Sequence, residues 1–172
     1  MKKIIFTAAL ISLAILAVAQ SNPVDDLINK YSEKDGFTLV TISGKMFNMF
    51  AGQETEASAE GRVISKLKSI RILSVEDSLL NGSINFYTEL SKKLDFSVFE
   101  ELMVVKEGQD MTKFLVRQKG DIITELLVIT GGPGGNSLIS IQGDLDMKSL
   151  SEISGQIGIE NLEPLDNMDK EP

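Results

Sequence analysis

The side chains able to do chemistry in this sequence are carboxylates, hydroxyls and lysines, because histidine, cysteine and tryptophan are all absent. Without histidine there is no Ser-His-Asp triad. Without cysteine there is neither a thiol nucleophile nor a thiolate zinc site. Acid–base work by carboxylates, a Ser-Lys nucleophile and oxygen-ligated metal remain. Glu100 and Glu101 could place a carboxylate beside a reacting group, but neighbours on a helix point roughly 100° apart. One of the two is then simply a solvated surface charge. Asp144-x-Asp146 and the pair Glu76-Asp77 could bind calcium, yet neither has the fuller ligand pattern of a calcium loop. Asp146 is better placed as a helix cap. Ser91-Lys92-Lys93 holds a Ser-Lys pairing with no identifiable oxyanion site.

The glycine cluster Gly131-Gly132-Pro133-Gly134-Gly135 offers backbone N–H groups that could cradle a phosphate. It leads into a strand and not into a helix N-terminus, and Pro133 removes one donor. A flexible hairpin loop is the plainer reading. These residues assign no catalytic, cofactor-binding or metal-ligating position, and no cofactor is implied.

The elements that position these groups centre on 111–146. Phe114-Leu115-Val116, Leu126–Ile129 and Leu138–Ile141 read as three consecutive strands joined by the turn at Lys119-Gly120 and the glycine cluster. Leu126-Leu127-Val128-Ile129 is apolar on both faces, which suits a central strand covered on both sides or one with a face at an interface. Upstream, Asn22, Pro23 and Asp25-Asp26 form a helix start, and Val24, Leu27, Ile28 and Tyr31 share one face. Asp35-Gly36 ends that helix. Phe37–Ile42 follows as a β-rich run, then a short helix that Ser43 could cap, with a Met46, Phe47 and Phe50 stripe expected in the core. Gly52–Gly61 is polar, acidic and loop-like, although Ala57–Glu60 could begin the next helix. Ser69–Val75 alternates as a strand. Ser83–Lys93 reads as a helix with Ile84, Tyr87, Leu90 and then Leu94 inward. Asp95 can cap a further turn or two bearing Phe96, Phe99 and Leu102, and Met103-Val104-Val105 makes a short strand. Asp146 caps a last helix bearing Met147, Leu150 and Ile153. Helices early and an antiparallel run late give an α+β fold, a five- or six-stranded, mostly antiparallel sheet with helices packed mainly on one face.

The chain has 172 residues. Lys2-Lys3, the apolar run Ile4–Leu16 and Ala17-Val18-Ala19 have the pattern of a secretory signal over residues 1–19. One domain is expected over 20–157, and the acidic, proline-bearing segment 158–172 reads as a disordered tail. The net charge of −8 becomes more negative once Lys2 and Lys3 are removed, which argues against nucleic acid and anionic membrane as partners. The expected location is therefore exported, periplasmic or secreted, and soluble. With no cysteine at the cleavage site the chain is not a lipoprotein, and no membrane span is expected after signal removal.

Several short segments resemble one family when taken in order. They are Tyr31-Ser32-Glu33-Lys34-Asp35-Gly36-Phe37, Ile70-Arg71-Ile72-Leu73, and the run from Glu100 to Gly108. Phe114–Arg117 with Lys119-Gly120, Glu125-Leu126-Leu127 with Gly131-Gly132, and Leu138–Ile141 with Gly143 complete the series. Over about residues 22–157 the chain resembles the secreted domain-of-unknown-function family 4252, typical of Bacteroidota. The resemblance implies a bacterial exported protein without assigned catalytic residues. Some relatives are encoded near extracytoplasmic-function sigma factors, which implies a link to envelope stress or signalling. The expectation is a non-enzymatic module binding an envelope protein or small ligand, with the exposed face of the central strands and the Gly52–Gly61 loop as surfaces to examine. Two alternatives stand beside it. One is a carboxylate- or metal-dependent hydrolase of envelope glycans. The other is a self-assembling homo-oligomer with Leu126–Ile129 at its interface.

Overall fold

Local sequence sets the first helix. The Asn22 Oδ1 accepts the Val24 backbone N–H at 3.0 Å, Pro23 takes the first turn, and α1 runs Pro23–Tyr31 with Val24, Leu27, Ile28 and Tyr31 all buried. Gly36 follows at φ +83°, a turn conformation that glycine adopts without a Cβ clash. The computed structural model describes residues 22–51, 59–146 and 148–149. The signal segment 1–19, the tail 158–172, residues 52–58 of the glycine-bounded loop, and Met147, Leu150 and Ile153 of the last helix lie outside them.

After α1 come β1 (Phe37–Ser43), α2 (Gly44–Ala51), α3 (Ala59–Lys66) and β2 (Leu67–Val75). Then follow α4 (Ser78–Asn81), α5 (Phe86–Ser91), a 3-10 turn (Phe96–Val98), β3 (Glu100–Glu107), β4 (Asp110–Lys119), β5 (Ile122–Gly131) and β6 (Ser137–Leu145). The six strands form one sheet in the order β1-β2-β6-β5-β4-β3, every neighbouring pair antiparallel. The α+β class and the late meander of β4, β5 and β6 are as expected, and the tight turns fall at Gly108 and Gly120, both at positive φ.

Two cores sandwich the sheet. On one face α1 and α5 pack Leu27, Tyr31, Phe86 and Leu90 against Leu127, Ile129 and Leu138. On the other, Phe47 of α2 and Val63 of α3 join Leu126, Val128, Phe114 and Ile139. The helices thus divide between both faces. Strand β5 explains why: Leu126 and Val128 point one way, Leu127 and Ile129 the other, and all four are buried. Burial of such side chains contributes roughly 1.5–3 kcal/mol each. The stretch is a central strand covered by its own chain, so neither face is free for a subunit interface. The surface expected on the central strands is likewise covered.

Three local expectations need correction. The helix read over Ser83–Lys93 is shorter, Phe86–Ser91, because Asn85 caps its start by accepting the Thr88 N–H at 2.8 Å. The separate α4 before it is capped by Asp77, which accepts the Leu79 N–H at 2.9 Å. Glu100 and Glu101 lie on β3 and not on a helix, so they point to opposite faces of a strand. In the Met/Phe stripe of α2, Phe47 is buried while Met46 is exposed, since a two-turn helix buries only one side.

Candidate functional site

Between α1 and α5 lies a cleft of about 440 Å³ lined by Pro23, Asp26, Leu27, Lys30, Glu89, Leu90, Lys92 and Lys93. Leu27 and Leu90 are core residues of their helices and give it an apolar floor. Lys92 and Lys93 follow the last residue of α5, where the helix dipole favours cations. Glu89 ties the two helices together: its carboxylate accepts from the Lys30 ammonium and from the Tyr31 hydroxyl. The Tyr31 ring lies under two cations, with Lys30 Nζ at 4.6 Å and Lys34 Nζ at 4.8 Å from its centroid. It also stacks on Phe37 at 4.6 Å.

The electrostatics of this cluster hold each of its groups in its ordinary protonation state. The hydrogen bond to Glu89 raises Lys30 above the usual lysine value. Burial, helped by the bond to Glu89, raises the Tyr31 hydroxyl. Burial pushes Glu89 up, but the hydrogen bonds from Lys30 and Tyr31 outweigh it and leave the carboxyl lowered. A general acid or base, or an amine nucleophile, needs its pKa brought toward neutrality. Here each group moves further from it, so the charged Lys30 and Glu89 and the neutral Tyr31 are all held in their ordinary states.

The residues singled out in the sequence are not brought together. Glu101 pairs with Lys113 at 2.6 Å and Glu100 accepts from Gln118 at 2.9 Å. Asp144 pairs with Lys68 at 2.6 Å. Glu76 accepts from Ser74 at 2.7 Å, while Asp77 caps α4. The Ser91 hydroxyl donates to the Thr88 carbonyl at 3.0 Å, the bond of a helix-terminal serine, whereas Lys92 and Lys93 beside it line the cleft. The glycine cluster holds a carboxylate of its own: Asp110 Oδ1 accepts the Gly134 N–H at 2.8 Å. That negative group stands where a phosphate would have to sit, so the loop is no anion cradle.

Asp146 caps as expected, accepting both the Ser149 backbone N–H and hydroxyl at 2.8 Å. Those bonds, the backbone one foremost, lower its carboxyl to about 2. A carboxyl whose folded pKa lies below its unfolded one adds stability above the unfolded value and loses it as pH falls through the folded one. Chemical unfolding of Asp146→Asn should therefore show a shallower loss of stability than the parent between roughly pH 4 and 2. A parent and variant with identical slopes there would contradict the assignment.

Local pattern did not reveal the Lys30–Tyr31–Glu89 cluster, because its members lie 58 and 59 positions apart and meet only through helix packing. Glu125 is a second unread residue. It is buried on β5 within an apolar run, where the Ser140 hydroxyl donates to it at 3.0 Å and Arg117 stands 3.6 Å away. The Arg117 guanidinium in turn lies 4.6 Å from the Phe99 ring centroid. Among the described residues no helix is long and apolar enough to cross a membrane. Residues 31–153 match the model of the family described as a domain of unknown function (DUF4252), and the chain belongs to that family. No curated protein and no solved structure matches it.

Proposed function

We propose that this protein is an exported, non-enzymatic binding module of a bacterial envelope, and that it takes its ligand in the cleft between α1 and α5. One observation carries the reading: an apolar floor of Leu27 and Leu90 is rimmed by Lys30, Lys92 and Lys93, three lysines against the two carboxylates of Asp26 and Glu89, on a chain of net charge −8. A concave apolar surface with a few convergent polar groups is the usual form of a ligand site. The lysines favour an acidic group on whatever binds, at the one end of α5 where the dipole supports them. The signal-like segment 1–19 supports export. The hydrolase alternative would need a carboxyl raised toward neutrality in the cleft, and Glu89 is lowered instead.

Cross-linking of the tagged full chain in its own envelope tests this reading. A reproducible partner should be captured by the parent chain and lost from the Lys92→Glu, Lys93→Glu double variant, with both proteins equally exported. A partner retained by the double variant would move binding off the cleft. Hydrolysis of envelope glycans by the purified chain, abolished by Glu89→Gln, would replace binding with catalysis.

A further inference from the structure

An edge strand exposes a row of unpaired backbone N–H and C=O groups, and natural sheets blunt such edges with charges, prolines, bulges or very short strands. Among the described residues no strand pairs beyond β1 or β3, and these two edges are treated differently. Strand β3 carries Glu100, Glu101, Lys106 and Glu107, and its pairing is bulged between Glu101 and Met103. Strand β1, FTLVTIS, has no charge and no proline. It pairs with β2 without a bulge, from Phe37↔Val75 to Ser43↔Ser69. At its centre Val40 is an exposed β-branched side chain, 41% accessible, and α2, which leaves its end, exposes Met46 and Met49.

We propose that β1 is a self-association edge, pairing antiparallel with β1 of a second copy about a two-fold axis through Val40. The full overlap of a seven-residue strand with itself centres on its fourth residue, and here that residue is Val40. In this register Val40 meets its own symmetry mate, Thr38 meets Ile42, Leu39 meets Thr41 and Phe37 meets Ser43. Each pair shares a face, because residues of one parity face one side of a strand. Val40 and Ile42 continue the face of Phe47, and Phe37 and Leu39 continue that of Tyr31.

Charge selects the occupant. Two copies of an acidic chain meet with least repulsion along a neutral strand, and β1 supplies one. A head-to-tail contact of β1 on β3 would instead meet a charged, bulged edge and propagate as an open filament, whereas the two-fold contact closes on itself. The proposal does not involve the residues lining the α1–α5 cleft and is independent of what that cleft binds.

The absence of cysteine makes the test clean. Single thiols are introduced in the full chain as Val40→Cys and, at an 86% accessible position elsewhere, Leu79→Cys. Directly opposed Cβ atoms of an antiparallel pair stand about 4.5–5.5 Å apart, near enough to bridge with small adjustment. Under mild oxidation Val40→Cys should cross-link to a dimer several-fold faster than Leu79→Cys. The unmodified chain should sediment as a dimer that dissociates on dilution, and Val40→Lys should sediment as a monomer with unchanged circular dichroism. A parent chain monomeric at high micromolar concentration would overturn the inference. So would equal cross-linking of the two cysteine variants, or a different protein trapped on Val40→Cys in place of the second copy.

Discussion

Alanine at position 136 should lower the unfolding free energy by about 3 kcal/mol or more, although the residue it replaces follows a glycine-rich loop. Asn136 is buried. Its Nδ2 lies 3.0 Å from Asn81 Oδ1, from the Ile84 carbonyl and from the Gly132 carbonyl, and its Oδ1 accepts the Phe86 N–H at 2.9 Å. One amide thereby joins α4, the start of α5 and the glycine loop. Alanine leaves the Phe86 N–H and the Asn81 side-chain Oδ1 without these partners in a buried site, and each such orphan costs about 1–3 kcal/mol. Asn136→Asp is expected to be at least as damaging, because it sets an oxygen against three acceptors. Urea unfolding reads the change directly. A loss below about 1 kcal/mol for either variant would mean that water or relaxation satisfies the network.

A methyl group at Gly131 should cost about 2–3 kcal/mol, while the same methyl at Gly135 should cost under about 0.5 kcal/mol. A Cβ on Gly131 would stand 2.5 Å from Asn85 Oδ1 and 2.8 Å from the Tyr87 backbone nitrogen. The side chain cannot simply turn away, since Asn85 Oδ1 is the cap that holds the Thr88 N–H. Relief requires α5 to lift off β5. At Gly135 a Cβ meets nothing within 4 Å. Paired melts of Gly131→Ala and Gly135→Ala therefore separate a packed junction from a merely flexible loop. Equal costs at the two positions would sink the junction. Because α5 carries Glu89 and is followed by Lys92 and Lys93, Gly131→Ala should also weaken the binding proposed for the cleft.

Both predictions fall on a stretch whose composition and role part company. Four glycines and a proline in five residues read as freedom, and the loop is where the chain turns between β5 and β6. Gly131, Gly132 and Gly134 are nonetheless fixed from outside, by Asp110 from β4 and by Asn85 and Tyr87 from the start of α5. Those contacts join residues tens of positions apart, so no window of sequence contains them.

The sequence by itself determined what short-range physics decides. An asparagine before a proline starts α1, glycines at positive φ turn the late strands, and an apolar period of two or of three to four assigns most elements. Absent residue types also removed whole chemistries before any fold was known. The helix over Ser83–Lys93 is present but shortened to Phe86–Ser91: Asn85 starts it by capping, and periodicity alone does not weigh where a cap will fall. Tertiary structure alone decided the rest. It covered both faces of Leu126–Ile129, put β1 at the edge of the sheet among the described residues, and brought Lys30 and Tyr31 to Glu89 across a cleft. Each is a pairing of distant elements, fixed by which apolar faces bury one another, and a side chain's neighbours across such a pairing leave no mark on the residues beside it in the chain.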